Sequence, residues 1–170
     1  MQAPASNPTK LLEIRDLRIE AGAGGAWKEI VHGVNLELRP GEMLGLIGES
    51  GAGKSTIGLA AMGFARAGCR ISGGEVIFNG QDLRKLDGKA LKRIQGTQVA
   101  YVAQSAAAAF NPAYQLIRQC IEVPVVRQGE RKSKVIESVR HLFARMHLPN
   151  PKTIGDRFPH QVSGGQLQRV

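Results

Sequence analysis

The sequence predicts an α/β fold in two parts, and three observations predict it. A continuous apolar run, Met43-Leu44-Gly45-Leu46-Ile47, leads straight into the glycine-rich octet Gly48-Glu49-Ser50-Gly51-Ala52-Gly53-Lys54-Ser55. Strand-like segments occupy much of the first hundred residues, with a helix-like stretch after the octet. Beyond Gln104 the pattern turns helical, so a boundary is expected there, with a core part over 1–104 and a helical part over 105–170.

The elements follow in order. Leu12 to Ile19 is rich in β-favouring apolar residues and partly alternates, which predicts a half-buried strand. Ala21 to Ala26 carries three glycines and reads as a loop. Val34, Leu36 and Leu38 alternate with Asn35, Glu37 and Arg39, a second strand that Pro40-Gly41 ends in a turn. The run Met43–Ile47 fits a strand covered on both faces, as in a parallel sheet. Lys54 to Ala65 reads as a helix with Ile57, Ala60, Ala61 and Phe64 on one face. Val76 and Phe78 before Asn79-Gly80 predict a strand and a tight turn. Val99, Tyr101 and Val102 predict a short buried strand ending at Gln104. Val135, Val139, Leu142, Phe143 and Met146 share a helical stripe, which Pro149 and Pro151 terminate.

Composition narrows the class. The chain has 170 residues, 42% of them hydrophobic, and a net charge of +9. No apolar run approaches the roughly 18 residues of a spanning helix. Met1 to Lys10 contains no apolar stretch of the signal-peptide kind. Cys69 and Cys120 lack metal-ligand spacing and read as inert thiols. The positive balance admits a nucleic acid or an anionic membrane surface. The one local cluster, Arg127, Arg131, Lys132 and Lys134, fits the solvated face of a helix.

The octet Gly48–Ser55 is a complete phosphate-binding loop, GxxxxGK[ST]. Its glycines let the backbone turn tightly and aim N–H groups at phosphate oxygens, and the following helix turns its positive end to the same anion. Lys54 is expected to reach the β and γ phosphates, and the Ser55 hydroxyl to take a place on Mg²⁺. Thr56 is adjacent, but the motif gives the metal role to Ser55. The loop alone does not name a reaction.

A second glycine motif, Ser163-Gly164-Gly165-Gln166, continues as Leu167-Gln168-Arg169. Taken alone it reads as a helix N-cap. The order phosphate loop, Gln104, Ser163–Gln166 resembles the ATP-binding subunit of an ABC transporter over essentially the whole chain. Phe110-Asn111-Pro112, Phe158-Pro159-His160-Gln161 and Val31-His32-Gly33-Val34-Asn35 resemble its peptide and nickel uptake branch.

The resemblance implies a P-loop NTPase core of ABC type with an N-terminal antiparallel β region and an α-helical subdomain. It implies an ATPase that couples ATP binding and hydrolysis to import of peptides, nickel or related solutes, with ATP and Mg²⁺ as cofactors. Two such subunits, identical or paralogous, would pair head to tail. Ser163, Gly164, Gly165 and Gln166 would then meet the nucleotide held by the partner's phosphate loop. Gln104 would act with Lys54 in catalysis, coordinating Mg²⁺ and the attacking water. Two permease subunits and, indirectly, a periplasmic solute-binding protein complete the implied assembly, at the cytoplasmic face of the inner membrane; no nucleic acid is expected.

Four departures stand out. Ala21 occupies the neighbourhood of the usual adenine-stacking aromatic, for which Trp27 is the substitute; packing of Trp27 on the sheet is the competing reading. Ala103 and Val162 replace bulkier residues. The family pattern also continues with an apolar strand ending in Asp-Glu, which supports Mg²⁺ and polarises water, and later a His. None of these occurs in residues 1–170. The chain is therefore expected to be an N-terminal fragment, truncated before the Asp-Glu strand, that hydrolyses ATP negligibly by itself. Its phosphate-loop strand is expected to expose apolar faces and unpaired backbone. Other readings are an ABC-type ATPase acting on nucleic acid or ribosomes, a P-loop kinase, and a non-hydrolysing nucleotide-binding fragment.

Overall fold

A computed structural model describes residues 10–23, 25–49 and 51–170. The chain divides into two compact units between Gln95 and Gly96, ahead of Gln104.

The first unit is built on an antiparallel sheet in the order β2-β1-β3-β4. The strands are β1 (Leu12–Ala23), β2 (Ala26–Leu38), β3 (Cys69–Phe78) and β4 (Gln81–Asp82). Alternation places Ile14, Leu17, Ile19, Val31, Val76 and Phe78 on a buried face. The opposite face carries ion pairs: Lys10 to Glu13 and Glu37, Arg15 to Glu13 and Glu75, Arg18 to Asp16 and Glu29, and Arg70 to Glu20. The segment expected as a loop at 21–26 is largely strand. Ala21, Gly22 and Ala23 pair with Lys28, Trp27 and Ala26. Small residues are what this pairing requires, since a Cβ at Gly22 would lie 2.3 Å from the Ala26 carbonyl oxygen.

The expected turn at Asn79-Gly80 is present, with Phe78 paired to Gln81 across it. Helix α1 (Lys54–Ala60) ends before the expected Ala65. The Gly63 N–H donates to the Ala60 carbonyl at 2.8 Å and the Phe64 N–H to that of Leu59 at 3.2 Å, the bond pair that closes a helix. Phe64 is consequently exposed rather than part of an apolar face. Helix α2 (Gly88–Ile94) is capped by the Asp87 carboxylate, which accepts from the Lys89 and Ala90 N–H groups.

Two expected strands do not form, and the run before the phosphate loop exposes apolar residues as expected of it. Met43–Ile47 is irregular, and Met43 and Ile47 are 95% and 100% exposed. Among the described residues no backbone hydrogen bond ties this run to another segment. The stretch from Ala100 to Gln104 is likewise irregular, Val102 being 89% exposed. An apolar run becomes a strand only where a neighbouring strand takes up its N–H and C=O groups. The described residues supply no such neighbour for either segment.

The second unit is helical but broken into short pieces: α3 (Ala106–Ala109), α4 (Leu116–Cys120), a π turn (Val123–Arg127), α5 (Lys132–Arg145) and α6 (Gly164–Leu167). Its core joins Ile121, Val135, Val139, Phe143, Leu148 and Ile154. Of the stripe expected on α5, Leu142 and Met146 are exposed, because the buried face runs along the i, i+4 line through Val135, Val139 and Phe143. No described helix is long and apolar enough to cross a membrane.

Candidate nucleotide-binding site

The glycine octet lies between the unpaired apolar run and α1. Ser50 is outside the described residues. Glu49, Gly51 and Ala52 are exposed, and the Ala52 N–H donates to the Glu49 carbonyl at 3.2 Å, which folds the loop on itself. Gly53 caps α1 at φ 81° and Gly51 has φ 87°, conformations that side chains penalise. A Cβ on Gly53 would also stand 3.3 Å from Cγ2 of the buried Val31. Backbone shape and the packing of β2 therefore both demand glycine at 53.

The Lys54 ammonium donates to the carbonyl of Gly48 at 2.7 Å and to that of Glu49 at 2.6 Å, bridging the loop. Its charge thus sits at the loop rather than in bulk solvent. Ser55 is exposed whereas Thr56 is buried, so of the two hydroxyl residues Ser55 is the accessible one. The first turn of α1 carries no acidic residue. An anion placed at this loop meets a cation, an exposed glycine-rich backbone and a helix start, which fits a phosphate chain.

Trp27 stands on β2, the strand whose Val31 packs at Gly53. The pairing switches by one residue between Ile19↔Val31 and Glu20↔Glu29, so Val31 shares the buried face with Ile19 while Trp27 shares the other face with Glu20 and Gly22. The Arg70 guanidinium lies 4.3 Å from the centre of the Trp27 ring and is itself held by Glu20 at 2.7 Å. These contacts hold the Trp27 ring on the sheet, with 42% of the residue exposed.

In the helical unit, Gln104 is exposed on the irregular segment before α3. Ser163 caps α6: its hydroxyl accepts from the Gln166 N–H at 3.2 Å, and the Gln166 side chain accepts from the Ser163 N–H at 3.0 Å. Gly164 and Gly165 are exposed, and a Cβ on either would meet nothing within 4 Å. The stretch Phe110-Asn111-Pro112 is held by Gln119, whose amide bonds the Asn111 N–H and the Asn111 and Tyr114 carbonyls. Sequence reasoning passed over Gln168 and Arg169. Gln168 accepts from the Ala106 N–H at 3.1 Å, and Arg169 donates to Gly165, Met146 and His147 carbonyls. Their signal was only adjacency to the glycine motif.

Lys54 and Ser55 fall in one unit, Gln104 and Ser163–Gln166 in the other. Each unit thus carries part of the predicted set.

A family model described as "ABC transporter" matches residues 31–170. The chain belongs to the ABC transporter family. Among ABC relatives, the dipeptide transport ATP-binding protein DppD of Escherichia coli (strain K12) is 34% identical over 160 residues, 94% of this chain and 49% of that protein. The oligopeptide transport ATP-binding protein OppD of Salmonella typhimurium is 32% identical over 160 residues, 94% of this chain and 48% of that one. The chain spans about half the length of the curated relatives it matches. Among solved structures, the bacterial ABC transporter cassette MJ0796, in a dimeric structure, superposes with TM-score 0.72 at 20% identity, covering 93% of this chain and 66% of that one. A dimeric post-hydrolysis state of the same cassette, bound to ADP and Pi, gives TM-score 0.70 at 21% identity with the same coverage. These likenesses establish the ABC cassette fold.

Proposed function

We propose that this chain is the nucleotide-binding portion of an ATPase subunit that couples ATP binding and hydrolysis to import of peptides, nickel or related small solutes through a permease. The observation that carries the proposal is the folded loop Gly48–Ser55 with the Lys54 ammonium bridging it at 2.7 and 2.6 Å. Support for the transport assignment comes from the relatives named for dipeptide and oligopeptide transport.

In this reading, N–H groups of Gly48 to Lys54 hold the β and γ phosphates of ATP, and Lys54 exchanges its two carbonyl partners for phosphate oxygens. That exchange replaces neutral acceptors with charged ones, which strengthens each bond. The exposed Ser55 hydroxyl and the Gln104 amide are the side chains that would hold Mg²⁺, which when bound neutralises charge on the phosphates. Gln104 also orients the attacking water. The Ser163 hydroxyl and the N–H groups of Gly164 and Gly165 face the nucleotide on a second ATPase subunit. Among the described residues nothing lies within 4 Å of a Cβ on either glycine, which fits a close approach from outside. The partners are that second subunit, two permease subunits and, indirectly, a periplasmic binding protein. The place of action is the cytoplasmic face of the inner membrane.

Lys54→Ala tests the core of the reading. It removes two charge-assisted bonds, each worth about 1.5–3 kcal/mol, so ATP affinity measured by calorimetry is expected to fall by at least about 100-fold. Unchanged affinity would refute the assignment.

A further inference from the structure

The Arg169 side chain ties the glycine turn to the end of helix α5. The Arg169 N–H donates to the Gln166 carbonyl at 3.0 Å. The Gly165 carbonyl is taken by Nε of the Arg169 side chain at 3.0 Å. The same guanidinium reaches the Met146 and His147 carbonyls through Nη1, at 3.3 and 3.2 Å. Those two carbonyls lie just past the end of α5, where His147 takes φ 52° and the chain turns away. Helix C-termini leave carbonyls unsatisfied and carry partial negative charge, so a guanidinium there is well placed. One side chain thus fastens the glycine turn to the end of a 14-residue helix anchored by Val135, Val139 and Phe143.

The neighbouring residue makes a second tie. The Gln168 side-chain oxygen accepts from the Ala106 N–H at 3.1 Å, at the start of α3 and two positions beyond Gln104. Loss of either tie leaves a backbone group without its partner.

We propose that Arg169 and Gln168 are positioning residues for the 163–166 turn: Arg169 fixes it to α5, and Gln168 links it to the segment that follows Gln104. Neither residue touches nucleotide. Both act through Ser163, Gly164 and Gly165, so the proposal rests on the reading that this turn meets a partner-bound nucleotide. The capping box shapes the turn from within, and these external ties fix where it stands, because Gly164 and Gly165 have no side chains to pack.

The test uses the full-length protein with ATP and EDTA, so that turnover is blocked. ATP-driven dimerisation is followed by light scattering, and ATP binding to the dilute monomer by calorimetry. For Arg169→Ala and Gln168→Ala, the ATP concentration at half-dimerisation should rise at least about tenfold, while monomer affinity stays within about twofold. Arg169→Lys keeps the charge but not the planar fork and should recover only part of the loss. Equal losses in monomer binding and dimerisation would mark a merely structural role and overturn the proposal. If Ser163→Ala impairs dimerisation while Arg169→Lys and Gln168→Ala do not, the proposal fails and the turn keeps its assigned role. If Ser163→Ala has no effect, the reading of the turn falls and the proposal with it. Should Arg169→Ala not fold, Arg169→Lys and Gln168→Ala decide the matter.

Discussion

The two glycine motifs use glycine for opposite reasons. At the phosphate loop, Gly51 and Gly53 are required by the chain itself: both have φ near 80–90°, and Gly53 abuts Val31. At the 163–166 turn, a side chain on Gly164 or Gly165 would meet no described atom, yet the turn is tied down by a capping box, Gln168 and Arg169. One region carries its shape in its own backbone. The other is a capped helix start held by its surroundings, with glycines that no contact among the described residues explains. A loop shaped by its own glycines is suited to wrap a ligand bound by the same chain, and a bare, well-anchored turn is suited to be approached.

The largest expected effect tests whether the two regions stand on separate cores. Phe143→Ala should destabilise the helical unit by about 3–5 kcal/mol. Burial pushes the Cys120 thiol up to about 11, which keeps it unreactive near neutral pH. Alkylation of Cys120 should therefore accelerate by more than about a hundredfold in that variant, while amide exchange in β1 stays slow. Loss of β1 protection in step with Cys120 would show that the units melt as one.

A smaller effect separates the glycines directly. Gly53→Ala forces a side chain into a left-handed conformation against Val31 and should cost about 1–3 kcal/mol of stability. Gly164→Ala should change stability by no more than about 1 kcal/mol, and in the stabilising direction. Urea melts of the two variants read both numbers, and equal losses would erase the distinction drawn above.

The smallest effect concerns Trp27. Its place on the outer sheet face beneath Arg70 predicts that Trp27→Ala changes ATP affinity by less than about twofold. A drop of about tenfold in calorimetry would return Trp27 to the role of adenine platform.

These regions also differ in how far they could be read from sequence. The antiparallel strands were legible because one buried and one solvated face leave an alternating pattern, as in Ile14, Leu17 and Ile19 against the ion-paired residues between them. The phosphate loop was legible because its geometry forces particular residue types. Met43–Ile47 and Val99–Val102 were not, since an apolar run shows only that burial suits it and says nothing of what provides the cover. The glycines at 22 and 25 looked like a loop because glycine's usual meaning is a turn, whereas here Gly22 makes room for a strand partner. Arg169 and Gln168 carried no signal, because their partners are backbone carbonyl and N–H groups, which any sequence supplies.

The bare run at Met43–Ile47 has a consequence for synthesis. On a ribosome adding about 5–20 residues per second, on the order of ten seconds pass between the emergence of this run and that of Val170. Among the described residues Met43 and Ile47 are 95% and 100% exposed. A nascent-chain chaperone that reads short apolar extended segments would find its mark here, ahead of the loop that later grips a phosphate.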